Sequence, residues 1–256
     1  MNDLAVLKVE TQGAARVLTV DRPSSRNAIN RAVAQRLVDE LERVADDQAV
    51  HAVVVASSDP AVFLSGGDIG ELSRLPYDRA GADGVIDLGV AVSAIEACPV
   101  PVIAAVEGKV FGGGCELLVM CDLVVMASGA SLRFVHARMG LVPAWGGTTR
   151  LIERVGAARA ADLLLTARSV AAPEAATLGI ATRLVDVGRA LGDALALAEE
   201  LAGVPRSSLI AIKRSIVAAK MARRGRALED ERDVFRQAWC SDAHRAAFEA
   251  FLGKNS

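Results

Sequence analysis

Apolar and polar positions alternate over residues 4 to 9 and 14 to 20, on either side of Gln12-Gly13, and predict a β-hairpin ending at Asp21-Arg22-Pro23. The period then lengthens. Between Asn30 and Ala45 the apolar residues Val33, Leu37, Leu41 and Val44 return at helical spacing, so an amphipathic helix follows, opened by Asn30 as its cap. The apolar run Ala52 to Ala56 reads as a buried strand. Ser57 to Asp68 carries Asp-Pro and Gly-Gly and is a loop. The stretch from there to Gly84, with Pro76, Asp83 and three glycines, reads as mobile.

A second round follows: a helix from Val85 to Ala97 closed by Pro99, the strand Val100 to Val106, a glycine turn over Phe111 to Glu116 that opens a helix, the strand Leu123 to Ala127 and an extended piece, Ser131 to Val135. Strand, strand, helix recurs without a detectable sequence period, which predicts an α/β layered or spiral core. After Pro143 the pattern is helical, near 148–155, 157–167, 173–178, 189–202, 205–222, 226–239 and 242–252, with Ala181 to Val185 as the one predicted strand. A helical third with no strand pattern of its own is expected to pack on the core or on a neighbouring subunit.

Composition narrows the picture. Apolar residues make up 52% of the 256, yet six Phe, two Trp and one Tyr are the only aromatics, so Ala, Val, Leu and Ile must build the core. With 29 basic and 31 acidic side chains the net charge is -2, which argues against a nucleic-acid surface. Seven Lys or Arg and no acid lie between Arg206 and Leu228, but without interleaved aromatics; Leu209, Ile212, Ile216 and Val217 give that segment an apolar helical face, and its basic face reads as solvated surface. Cys98, Cys115, Cys121 and Cys240 form no CxxC pair and no zinc spacing with His, so they read as buried free thiols and no metal is expected. Asp3, Lys8 and Glu10 interrupt the N-terminus before any long apolar stretch, so neither signal peptide nor membrane span is expected and the predicted location is cytoplasmic. Three His and one Tyr leave few acid–base groups. His51 and His244 read as surface residues.

Two glycine loops carry the candidate chemistry. Gly112-Gly113-Gly114 lies where a strand turns into a helix, and Glu116 places a carboxylate in the first helical turn beside amides at the positive helix end. No Lys-Ser/Thr follows and the spacing is not GxGxxG, so the turn is neither a P-loop nor a dinucleotide fingerprint. In Ser65-Gly66-Gly67-Asp68-Ile69, Asp68 can cap a helix starting at Ile69 and leave the glycine amides free. One N–H from each loop would make an oxyanion hole, each donor contributing about 3 to 4 kcal/mol in acyl chemistry.

These loops, with Pro101 to Gly108, Cys121-Asp122, Gly140-Leu141-Val142-Pro143, Gly146-Gly147-Thr148, Asp21-Arg22-Pro23 and Asn27-Ala28, resemble the crotonase (enoyl-CoA hydratase/isomerase) superfamily over nearly the whole chain. The resemblance implies an α/β spiral of ββα turns over residues 1–195 holding an acyl-CoA site, and a helical C-terminal region, 196–256, for packing and trimerisation. It implies homotrimers or hexamers built as dimers of trimers, no cofactor beyond the coenzyme A of the substrate, and no nucleic-acid or membrane partner. Matched residue by residue, the oxyanion hole falls on the amides of Gly67 and Gly113. Ser65, Asp68, Gly112, Pro143, Trp145 and Gly146 fall around the substrate. Arg26, beside Asn27-Ala28, reads either as a contact to a CoA phosphate or as a solvated loop arginine, and the basic segment after Arg206 could help receive the CoA phosphates.

One departure stands out. Hydratases of the superfamily use two glutamates, the first matching Glu116 and the second lying seven residues before the loop proline, where this chain has His136. Phe134-Val135-His136, Met139-Gly140 and Trp145 to Leu151, with Glu231-Arg232-Asp233 and Trp239, are similar to the ethylmalonyl-CoA decarboxylase branch. That likeness implies decarboxylation of a 2-alkylmalonyl-CoA through a thioester enolate, with Glu116 and His136 as the catalytic pair. The alternative is an enoyl-CoA hydratase or isomerase, and the competing class is a non-catalytic acyl-CoA or RNA-binding relative.

Overall fold

The computed structural model describes residues 6–253. Strand β1 (Leu7–Gln12) pairs antiparallel with β2 (Ala15–Val20), giving the expected hairpin; its predicted start at residues 4 and 5 lies outside the described residues. Helix α1 (Arg31–Asp46) is capped by Asn30, whose side chain accepts the Val33 N–H at 2.9 Å. Then follow β3 (Ala52–Ser57), β4 (Val62–Leu64), α2 (Ile69–Leu72), α3 (Arg79–Val92), α4 (Ala94–Ala97), β5 (Val102–Val106), β6 (Lys109–Phe111), α5 (Gly113–Met120), β7 (Leu123–Ala127) and β8 (Ser131–Arg133). The chain closes with α6 (Gly147–Val155), α7 (Ala157–Thr166), β9 (Val170–Ala171), α8 (Ala172–Thr177), β10 (Arg183–Val185), α9 (Ala190–Ala202), α10 (Arg206–Arg224), α11 (Ala227–Trp239) and α12 (Asp242–Gly253).

The strands form two sheets, one ordered β1-β2-β3-β5-β7-β10 and the other β4-β6-β8-β9. Successive strands alternate between them, so β3-β4, β5-β6 and β7-β8 each place one strand in each sheet before a helix returns the chain. This is the expected spiral of ββα turns. From β2 to β10 the larger sheet is parallel, and β3 and β5 are buried almost end to end, because helices and the second sheet cover both faces. On one face Ala190, Ala194 and Ala198 of α9 meet Ala15, Ala52, Ala56, Ala105 and Ala127. Small residues on both sides let helix and sheet close tightly, which is where the aliphatic, aromatic-poor composition goes.

Several local expectations are corrected, among them the loop expected over Ser57 to Asp68, which holds β4. The stretch 69–84 is ordered into α2 and the start of α3, which Asp78 opens by accepting the Gly81 N–H at 3.0 Å. The helix expected over 85–97 begins at Arg79 and breaks at Ser93 into α3 and α4. In α10 the inward face is mixed rather than apolar: Leu209 is buried as expected, but Lys213 and Arg224 are buried with it, whereas Ile212 and Ile216 are 57% and 49% exposed. The inward cations have partners. Lys213 meets Asp122 at 2.7 Å and Arg224 meets Glu96 at 2.6 Å and Glu153 at 2.7 Å, so long-range charge pairing set the face that apolar spacing alone could not. Cys98, Cys115 and Cys121 are buried as expected, but Cys240 is exposed. Among the described residues no helix is long and apolar enough to cross a membrane, and no group of three or more His, Cys, Asp or Glu could hold a metal ion.

Candidate active site

The two glycine loops meet at the head of α5. Ile29 donates to the Gly66 carbonyl at 2.7 Å and accepts the Asp68 N–H at 3.0 Å, a parallel bridge that leaves the N–H of Gly67 facing the other way. Asp68 caps α2, taking the Gly70 N–H at 2.8 Å, and pairs with Arg22 at 2.7 Å. Its carboxylate therefore fixes the loop from behind, and Asp68 does not line the cavity described below. Gly113 is the first residue of α5, so its N–H has no preceding helical turn to bond. A Cβ on Gly66 would lie 2.8 Å from the Gly113 nitrogen, and one on Gly113 would lie 2.6 Å from the Trp145 ring. Only glycine lets the two loops and the indole come this close.

Glu116 sits one turn into α5 and is 2% exposed. Its Oε2 accepts N–H bonds from Trp145 at 2.7 Å and Gly147 at 3.0 Å, while Oε1 lies 3.0 Å from His136 Nε2. An oxygen that accepts two N–H bonds has no room for a proton, so any proton the two side chains share lies between Oε1 and Nε2. The other ring nitrogen of His136 is buried without a partner. The amides on Glu116 belong to the positive end of α6.

That helix end is itself anchored. Arg150 donates to the carbonyls of Trp145 and Gly146 at 3.0 and 3.3 Å and binds Glu96 through Nε and Nη2 at 3.0 and 2.8 Å. Burial pushes the Glu96 carboxyl up, but the hydrogen bond from Arg224 and the charges of Arg150 and Arg224 outweigh it and hold the group at about 2. Glu231 of α11 accepts the Thr148 and Thr149 N–H groups at 2.9 and 3.0 Å and the Thr149 hydroxyl at 2.7 Å. Two buried carboxylates thus divide the amides of one helix N-terminus.

A cavity with about 640 Å³ of empty volume opens beside these groups. Ser65, Gly67, Gly112, Gly113, Glu116, His136 and Trp145 all line it, so seven of the residues singled out in the sequence are brought together. Trp145 is a wall residue, its indole N–H donating to the Val85 carbonyl at 3.1 Å. Pro143 and Gly146 do not line the cavity; they shape the loop that delivers Trp145 and opens α6. Arg26 is exposed on the turn after Arg22 and also lies outside the lining.

The sequence missed the far wall. Phe235 and Trp239 of α11 and His244 and Phe248 of α12 line the cavity as well. His244, expected at the surface, is fully buried: its Nδ1 lies 2.7 Å from the Met139 carbonyl and its ring centroid 4.8 Å from that of Trp239. Burial shifts it toward the neutral form. The spacing of four within each pair, Phe235–Trp239 and His244–Phe248, was the available signal, and only the approach of α11 and α12 to the spiral shows what it faces.

A ββα spiral whose glycine loops set two amides beside a buried carboxylate defines a class of acyl-group enzymes. The chain belongs to the enoyl-CoA hydratase/isomerase family, the crotonase superfamily of acyl-CoA-processing enzymes, whose family model matches residues 10–256. It is 33% identical to a probable enoyl-CoA hydratase of Rhizobium meliloti (strain 1021), over 97% of this chain and 95% of that one. It is 31% identical to a probable enoyl-CoA hydratase of Mycobacterium leprae (strain TN), over 94% and 92%. The crystal structure of an enoyl-CoA hydratase/isomerase from Mycobacterium paratuberculosis superposes with a TM-score of 0.87 at 28% identity, covering 96% of this chain and 98% of that one.

Proposed function

We propose that the protein decarboxylates a 2-alkylmalonyl-CoA, such as ethylmalonyl-CoA or methylmalonyl-CoA. The observation that carries this reading is that Glu116 is the one acidic residue lining the cavity among the described residues, and its Oε1 meets His136 in place of a second carboxylate. Hydration needs one group to take a proton from water and another to deliver one. Decarboxylation needs a single donor, and a Glu–His pair sharing one proton supplies it. The bond from Cα to the carboxylate breaks, its electron pair passes into the thioester to give an enolate, and CO2 departs. The enolate oxygen is held by the N–H groups of Gly67 and Gly113. A proton from the Glu116–His136 pair then closes the α-carbon, and solvent restores it.

The walls favour the same reaction. Leu72, Val85, Leu141, Trp145, Phe235 and Trp239 line the cavity, and no Lys or Arg does among the described residues. Apolar surroundings cost an anionic carboxylate more than neutral CO2, so they favour its loss. The second reading, hydration of a 2-enoyl-CoA, is supported by the names of the relatives. Incubation with ethylmalonyl-, methylmalonyl- and crotonyl-CoA in turn, followed by product mass, separates the two. Loss of CO2 from either malonyl thioester is expected; gain of water by crotonyl-CoA without decarboxylation overturns the proposal in favour of the hydratase.

A further inference from the structure

Glu231 takes no part in the chemistry just described, yet it is 8% exposed and sits on the helix end that holds Glu116. Around the start of α6, the Trp145 and Gly147 amides go to Glu116, and the Thr148 and Thr149 amides go to Glu231. A helix N-terminus offers about half a positive charge. Here it serves two carboxylates, so the second both fixes the frame of the first and adds a negative charge beside it. Burial, and then the charge of Glu116, push the Glu231 carboxyl above its ordinary range despite its hydrogen bonds from Thr148 and Thr149.

No nearby cation is free to cancel this charge among the described residues. On α6 the Arg150 guanidinium is bound to Glu96 and to two carbonyls. On α3 Asp83 pairs with Arg236 at 2.7 Å, and on α11 itself Arg232 pairs with Glu229 at 3.2 Å. From α12 comes His244, shifted toward neutrality. His136 is engaged by Glu116. Glu231 and the Glu116–His136 pair are therefore the groups left to sense one another.

We infer that Glu231 is a positioning residue for the Glu116–His136 pair: it holds the first turn of α6 so that the Trp145 and Gly147 amides stay on Glu116, and its charge sets the pH at which the pair exchanges protons. This rests on the reading of Glu116 and His136 as the proton-handling groups. The test is the pH–rate profile of wild type, Glu231→Gln and Thr149→Val on whichever of ethylmalonyl-, methylmalonyl- or crotonyl-CoA the wild type converts.

Glu231→Gln removes one negative charge, so its profile moves to lower pH by about 0.5 to 1 unit. Its kcat falls about 10- to 100-fold through lost positioning, with KM within about twofold of wild type. Thr149→Val keeps the carboxylate but removes the hydroxyl that donates to it, so Glu231 takes up a proton more readily and the profile moves the same way, by less. A Glu231→Gln profile that superimposes on wild type overturns the inference even if the protein melts earlier, since a merely structural role moves stability alone. If that variant is not recovered folded, an unmoved Thr149→Val profile overturns it instead. Glu116→Gln and His136→Ala separate the two levels. Full turnover in both overturns the reading of the pair, whereas its loss alongside an unmoved Glu231→Gln profile overturns the role of Glu231 alone.

Discussion

At the scale of single residues, the site is a few atoms whose directions are fixed from outside. Glu116 has one oxygen committed to backbone amides and one to His136, so removing either partner leaves the proton path incomplete. His136→Ala and Glu116→Gln are each expected to lower kcat by about 10² to 10⁴ with the far-ultraviolet circular dichroism unchanged. Unchanged turnover of the true substrate by His136→Ala would remove that residue from the mechanism. Gly113 is held to glycine by the indole: an added methyl 2.6 Å from the Trp145 ring forces ring or amide to move. Gly113→Ala is expected to cost about 1 to 3 kcal/mol by chemical denaturation. Its turnover should fall by more than that loss explains if the displaced N–H is the oxyanion donor proposed above. Equal, small losses in both would show that the amide is not used.

At the scale of elements, α6 is the part on which the site depends. It is tied to α4 and α10 through Glu96, which Arg150 and Arg224 grip inside the protein. The folded Glu96 carboxyl lies at about 2 against an ordinary 4.5, so its contribution to stability is complete above 4.5 and is lost as the pH falls through about 2. Glu96→Gln should therefore flatten the acid limb of the stability curve between those values. At neutral pH it should cost about 3 to 5 kcal/mol, because it leaves buried guanidinium charge unpaired. Urea titrations at pH 7 and pH 3 measure both effects, and an undiminished acid limb in the variant would assign acid sensitivity elsewhere.

At the scale of the whole molecule, the C-terminal helices do two things. Their inner surfaces, with Phe235, Trp239, His244 and Phe248, complete the cavity, and the outer face of α10 leaves Ile212, Ile216 and Met221 exposed. Membership of the superfamily makes that face a candidate subunit contact. Sedimentation equilibrium is expected to return three or six times the 26.7 kDa chain mass, and Ile212→Glu with Ile216→Glu is expected to lower it. A wild-type monomer would refute the assembly. An unchanged mass for the double variant would move the contact off α10.

Local pattern was enough for much of this. Alternation marked the hairpin, apolar runs marked β3, β5 and β7, Asn30 and Asp68 announced their caps, and the glycine loops with Glu116 and His136 named the centre of the site, because each signal lies within a few residues of its effect. Other features have their causes far along the chain. The inward face of α10 is set by Glu96, Asp122 and Glu153, from three other segments. His244 is buried because α12 meets Met139 and Trp239, and the first turn of α6 receives Glu231 from α11. The sequence by itself determined which residues could do chemistry. Tertiary structure decided which of them share a cavity, and which charges face them, because burial and charge pairing depend on segments whose approach no local pattern encodes.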